Sequence, residues 1–531
     1  MKKYILGLCT FFIFGITTAQ NNIDILHYRF SIHLNDQNDT IVGRAKILFK
    51  ALAPTHSISL DLASPKNNGK GMYVTNVSNG LKILTALHDN DMYTITLDKT
   101  LQENDTASIV IDYHGIPSDG LIISKNKYGH RTFFADNWPN RGHNWLPCHD
   151  DPADKATVDF IVTAPQHYQV VANGIQVEET NLSGDMKKTH WKEDVPISTK
   201  VMVIGAADFA VNLSGAVGDC IPVYSWVYPE DRDNGFYDYA LAAKILPWYI
   251  QTVGPYAYKK LANVQSKTIF GGLENANTIF YTENSIDGRR TSESLLAHEI
   301  AHQWFGNYAT EKSFAHLWLS EGFATYMTIL YLKHQYGKDT AIAMLKKDRT
   351  QAIAFGHRKQ LPVVNETKNY MQLLNANSYQ KGGWVLHMLQ CDLGDSVFFE
   401  SIRKYYATYG GKTAGTRDLQ KVFEDISGKN LQQFFDQWLY NPVNPKLSIN
   451  WRYDSKSKKI NFDIKQLQDG DAFSLPLEIA LICKDGSTVL SHLQLSKKEE
   501  TIQITSEQKP ENIILDPNTK LLFEGSIREI K

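Results

Sequence analysis

The chain has 531 residues, 43% of them apolar and 21% charged, with 55 basic against 57 acidic side chains. That length exceeds one ordinary domain and suggests two to four, with ample material for buried cores. A formal net charge of −2 without a long charge run argues against a nucleic-acid surface or a polybasic membrane patch.

In chain order, Lys2 and Lys3 precede an apolar run over residues 4–16, and Thr17, Thr18 and Ala19 offer a small-residue cleavage site. Residues 1–19 are read as a secretory signal peptide. The run is shorter than the roughly 20 residues a membrane anchor needs, and no later stretch is longer. The mature chain is therefore expected to be exported, periplasmic or secreted, without a membrane span. Cys148, Cys220, Cys391 and Cys483 follow far apart in sequence, which leaves their pairing open.

Residues 20–212 show short alternating runs punctuated by Asn, Asp, Gly and Pro, such as HYRFSIH (27–33), IVGRAKILF (41–49) and ASIVIDY (107–113). Period-two alternation with regular turn residues predicts an antiparallel β-sandwich. Within it, RTFFADNWP (131–139) and WLPCHDDP (145–152) are rich in aromatic and polar side chains. His143, Cys148, His149 and Asp150 lack C-x-x-C or H-x-x-x-H spacing, so a structural loop is favoured over a second metal site.

Over residues 213–443 the period changes. Segments 236–253, 292–308, 321–336, 379–393, 397–409, 416–426 and 431–439 have helical length and apolar spacing. Residues 263–270 (NVQSKTIF) alternate like a strand and lead into the Gly271–Gly272 turn. After two prolines in 442–445, alternation returns over residues 446–531, enough for one small β-sandwich. The fold class is thus multidomain α+β.

The chemistry concentrates in LLAHEIAHQWF (295–305). Residues four apart share a helix face, so His298 and His302 can reach one cation, and Glu299 sits beside it. A carboxylate there can take a proton from water that the metal has acidified. WLSEGFA (318–324) supplies Glu321 as a third ligand at the start of a second helix. The set predicts one zinc ion per chain, held by His298, His302 and Glu321, with Glu299 as general base.

HEIAHQWFGN followed by WLSEG resembles the M1 (gluzincin) zinc aminopeptidases, as do GGLEN (271–275) and SYQKGG (378–383). The resemblance implies a saddle-like N-terminal domain, a thermolysin-like catalytic domain of mixed α/β structure, and a short form without the C-terminal helical domain of many members. GGLEN is similar to the family's G-x-M-E-N segment, which implies that Gly271, Gly272, Leu273 and Glu274 bind substrate, with Glu274 anchoring the free amino terminus of a peptide. YQKGG is similar to the family's Y-x-K-G segment, which gives Tyr379 the role of oxyanion donor. The family also draws an amine-binding Glu or Gln from the segment near 136–138. This chain offers Asp136, Asn137 or Trp138 there, and that role stays unassigned. The expected activity is removal of amino-terminal residues from peptides. The alternatives are an endopeptidase, an epoxide hydrolase or an inactive binding scaffold. Oligomeric state and preferred residue are not legible.

Overall fold

The structure is a computed structural model that describes residues 22–218 and 220–530. The expected signal peptide, residues 1–19, lies outside the described residues. Seven strands form the largest N-terminal sheet, in the order Ile175–Leu182, Met186–Ser198, Lys155–Pro165, Ile23–His33, Ile41–Ala51, Thr106–Ile116, Gly71–Ser78. Alternation sets its two faces: along Ile41–Ala51, Ile41, Ala45, Ile47 and Phe49 are buried while Val42, Arg44, Lys46 and Leu48 face outward. Two smaller sheets, of three and four strands, close over the buried face and share one apolar core with it. The sandwich is not wholly antiparallel. Ile23–His33 runs parallel to Lys155–Pro165, with His27 opposite Thr157. A parallel pair needs a long crossover, and here the intervening chain first builds the other strands, a return that alternation does not reveal.

The middle of the chain holds a five-stranded mixed sheet, ordered Ala210–Val217, Ile221–Val227, Leu261–Ser266, Thr278–Thr282, Gly272–Leu273. Its first strand crosses the expected boundary at 212/213 and pairs along its length with Ile221–Val227. Helices cover one side, with several departures from the predicted spans. Segment 236–253 is two helices, Arg232–Tyr239 and Ala242–Thr252. The helix expected over 292–308 is Glu293–Ala301, with His302 as its C-cap. Gly306 then takes a φ of +113°, which favours glycine and turns the chain away. A 22-residue helix, Lys338–Lys359, was not predicted, because only Ala341, Leu345 and Ala352 on it are buried. So sparse an apolar stripe gives little periodic signal.

The C-terminal segment forms two facing sheets. Four strands take the order Glu499–Thr505, Lys459–Gln466, Lys446–Asp454, Glu524–Glu529, and three take the order Thr488–Leu495, Leu475–Cys483, Pro510–Leu515. Leu447, Phe462 and Leu475 belong to the same buried cluster as Trp384 and Leu345, so this sandwich is fused to the helical unit through a continuous core. The N-terminal sandwich meets the helical unit through polar contacts as well. Lys200, buried, ion-pairs with buried Glu311. The Lys155 ammonium donates to the backbone carbonyls of Asn307 (3.1 Å) and Tyr308 (2.7 Å). All four cysteines named above are free thiols, Cys148 and Cys483 buried, Cys220 and Cys391 exposed. Among the described residues no helix is long and apolar enough to cross a membrane.

Candidate active site

His298 on the helix Glu293–Ala301 and His302 at its cap face Glu321 on the helix Trp318–Tyr336. His298 Nε2 lies 3.1 Å from His302 Nε2 and 3.2 Å from Glu321 Oε2, and His302 Nε2 lies 3.3 Å from that same oxygen. Two nitrogens and a carboxylate oxygen in such a triangle fit zinc. Ligands at its usual bond lengths of about 2.0–2.1 Å in a tetrahedral set stand about 3.3 Å apart. The orientation of His302 is fixed from behind: its Nδ1 lies 3.1 Å from the Phe305 carbonyl and 3.0 Å from Ser320 Oγ. A proton donated from Nδ1 to that carbonyl leaves Nε2 with its lone pair toward the triangle.

Glycines bring the pieces close. A Cβ on Gly272 would stand 2.3 Å from Glu299 Oε1, so the Glu299 side chain lies directly against that turn. A Cβ on Gly322 would meet Gly382 Cα at 2.9 Å. The helices Trp318–Tyr336 and Gly382–Leu393 therefore touch backbone to backbone, one residue from Glu321 and three from Tyr379. Tyr379 sits on a π-helical turn, Asn377–Lys381, with its ring stacked on His298 at 6.0 Å and 15°. Gly322→Val is expected to destabilise the chain by at least about 2 kcal/mol, since backbone cannot yield to an added side chain. A lowered urea midpoint at unchanged slope measures it.

One cleft of about 250 Å³ is lined by Gly271, Gly272, Leu273, Glu274, Leu295, His298, Glu299, His302, Glu321 and Tyr379 together with Trp138, Phe270 and Leu374. It therefore brings together every site residue expected from the sequence. Glu274 and Glu299 each place an oxygen within 4.8 Å of a His302 nitrogen. Glu274, Glu299 and Glu321 are all buried, and among the described residues no lysine or arginine lines the cleft. Burial raises the Glu299 carboxyl well above the usual range, with Glu274 and Glu321 pushing the same way against His302. Glu274 Oε1 is buried without a hydrogen-bond partner among the described residues. A dication together with one monovalent cation would offset all three carboxyl groups and draw Glu299 into its anionic form.

Several residues escaped the sequence reading. Gln303 Nε2 (3.1 Å) and Asn307 Nδ2 (2.5 Å) both donate to the backbone carbonyl of Glu274, and Gln303 Oε1 accepts from the Asn277 N–H at 2.8 Å. The histidine helix and its turn thus grip the GGLEN segment. Their only sequence signal was a pair of amides four apart just after HExxH. Of the three residues near 136–138, only Trp138 reaches the cleft. Asp136 is consumed by Arg141, Thr268 and the Ile269 N–H. Asn137 binds the Thr199 and Met202 carbonyls and the Trp145 indole N–H. His143 pairs with Asp150 at 2.8 Å and His149 with Asp154 at 2.5 Å, as two separate contacts.

Comparison with known proteins follows the same division. Residues 25–201 match the Peptidase M1 N-terminal domain, and residues 237–438 match the Peptidase family M1 domain. The chain is 26% identical over 527 residues to Aminopeptidase M1-C of Oryza sativa subsp. japonica, an alignment covering 92% of this chain and 58% of that protein. It is 25% identical to Aminopeptidase 2 of Candida albicans, over 81% of this chain and 48% of the relative. Tricorn protease-interacting factor F2 of Thermoplasma acidophilum is 27% identical, over 67% and 47% respectively. The chain spans about half the length of these curated relatives.

Proposed function

We propose, from the premise that this chain belongs to the M1 peptidase family, that it is a zinc-dependent aminopeptidase acting on peptides with a free amino terminus. The observation that carries the reading is the set of three buried carboxylates in a cleft lined by no lysine or arginine among the described residues. A zinc ion and a substrate ammonium together balance them.

His298, His302 and Glu321 would hold the zinc. When bound, it supplies Lewis-acid polarisation of the scissile carbonyl and makes water a better nucleophile at neutral pH. Glu299 accepts the proton of the attacking water and passes it to the leaving amine. Tyr379 donates its phenolic hydrogen to the oxyanion that develops on the carbonyl oxygen. Glu274 pairs with the ammonium of the first residue, and the Gly271–Gly272 backbone lets the peptide lie close. Exopeptidase action follows from that anchor: the bond presented for cleavage lies one residue from the fixed charge.

The test is a screen of aminoacyl anilides, free and amino-acetylated, with and without a chelator. Turnover of free substrates that the chelator abolishes supports the reading, and cleavage confined to blocked peptides overturns it. Asn307→Ala should lower kcat/KM for free-amine substrates about tenfold, as loss of a buried hydrogen bond frees the Glu274 backbone. Zinc content by atomic absorption should stay at the wild-type value. We further propose export through residues 1–19, which amino-terminal sequencing of the mature protein checks.

A further inference from the structure

The segment that leaves the strand Arg131–Ala135 brings an indole to the cleft, while its carboxylate and amide are spent elsewhere. Trp138 is 2% exposed. Phe270 meets its ring edge to face at 5.8 Å and 90°, and Phe314 does so at 6.1 Å and 79°. Phe314 in turn packs on Tyr370 at 4.5 Å. Two rings from other segments thus fix the indole, one of them backed by Tyr370, and it forms a rigid wall and not a swinging surface group. Phe270, Leu273, Leu295 and Leu374 line the same cleft.

The charges behind this wall are committed. The Arg141 guanidinium, 5.8 Å from the Phe270 ring, pairs with Asp119 and Asp136 and donates to the Trp138 carbonyl at 2.7 Å. The Lys200 ammonium, 6.0 Å from the Phe314 ring, pairs with Glu311. An acidic side chain entering the cleft finds no free cation among the described residues that line it. A basic one finds no carboxylate beyond the three already balanced by the metal and the substrate amine. An apolar side chain finds Trp138, Phe270, Leu273, Leu295 and Leu374 along the cleft wall.

We propose that Trp138 is a specificity-determining residue, selecting peptides whose amino-terminal side chain is large and apolar, such as Leu or Phe; this rests on the aminopeptidase reading. Glu274 then holds the substrate ammonium without help from a second acid, and the apolar wall that the indole backs, with Phe270 packed on it, supplies discrimination among side chains. Removing the ring takes away the support on which Phe270 packs and opens the apolar wall that a Leu or Phe side chain reaches and an Ala side chain does not.

The experiment measures kcat/KM of the full, zinc-loaded chain for Leu, Phe, Ala, Arg and Glu anilides. The wild type should favour Leu and Phe over Ala, Arg and Glu by about tenfold or more. Trp138→Ala should cut the Leu-to-Ala and Phe-to-Ala ratios by about tenfold. Trp138→Leu, a gentler change, should cut the Phe-to-Ala ratio by at least about threefold. Melting temperature and zinc content verify that each variant is folded and loaded. A wild type that favours Ala, Arg or Glu overturns the proposal with no variant needed. Unchanged ratios in a folded, zinc-loaded variant overturn it as well. Wild-type enzyme that turns over no free-amine anilide at all overturns the aminopeptidase reading itself, and this proposal with it.

Discussion

Glu299→Gln lowers kcat by about 10²–10⁴-fold, the range a positioned general base contributes, while zinc content stays at one per chain. The substitution keeps the shape of a side chain that lies against Gly272, where a built Cβ comes within 2.6 Å of its Cγ, Cδ and Oε1. Packing therefore survives, and only the capacity to accept a proton is lost. KM should change little, because Glu299 acts on the water and the leaving group and does not anchor the peptide. Steady-state kinetics with a Leu anilide and metal analysis of the same sample decide it. Wild-type kcat in a zinc-loaded variant would sink the assignment.

Glu321→Ala abolishes turnover by a different route, through loss of the metal. Its Oε2 completes the triangle with the two histidine nitrogens at 3.2 and 3.3 Å, and two imidazoles alone are one ligand short of the three proteins use for catalytic zinc. Activity should fall to that of the chelated wild type. A ligand that binds only the folded state raises its stability, so chelation should lower the melting temperature of the wild type. The variant, already without metal, should not respond. Stoichiometric zinc in Glu321→Ala, or equal responses to chelator, would remove Glu321 from the ligand set.

How much was legible depended on whether the partners of a residue lie close in sequence. His298 and His302 are one helical turn apart, so their convergence follows from local geometry alone. Glu321 was also named from the sequence as the third ligand, and what the structure adds is the route by which it arrives, on a helix packed so tightly that Gly322 and Gly382 touch. The grip of Gln303 and Asn307 on the Glu274 carbonyl was not legible, although all three residues stand in the quoted motifs. Its partners lie about thirty residues apart and meet only once the mixed sheet has formed. Trp138 was one of three equal candidates, and only the internal hydrogen bonds of Asp136 and Asn137 separate it from them. The parallel pairing of Ile23–His33 with Lys155–Pro165 and the mostly exposed helix Lys338–Lys359 escaped for related reasons. A non-local return leaves no period in the sequence, and a solvent-facing helix leaves a faint one.

The buried pair between Lys200 and Glu311 bears on how the molecule comes apart. Both ions are buried in the folded chain. Pulling the sandwich away breaks this pair, and an ion that stays out of water without its partner costs several kcal/mol. Stepwise loss of one half is thereby penalised, and the two should unfold in a single cooperative event. A protease nick between them would leave fragments that hold together until both melt.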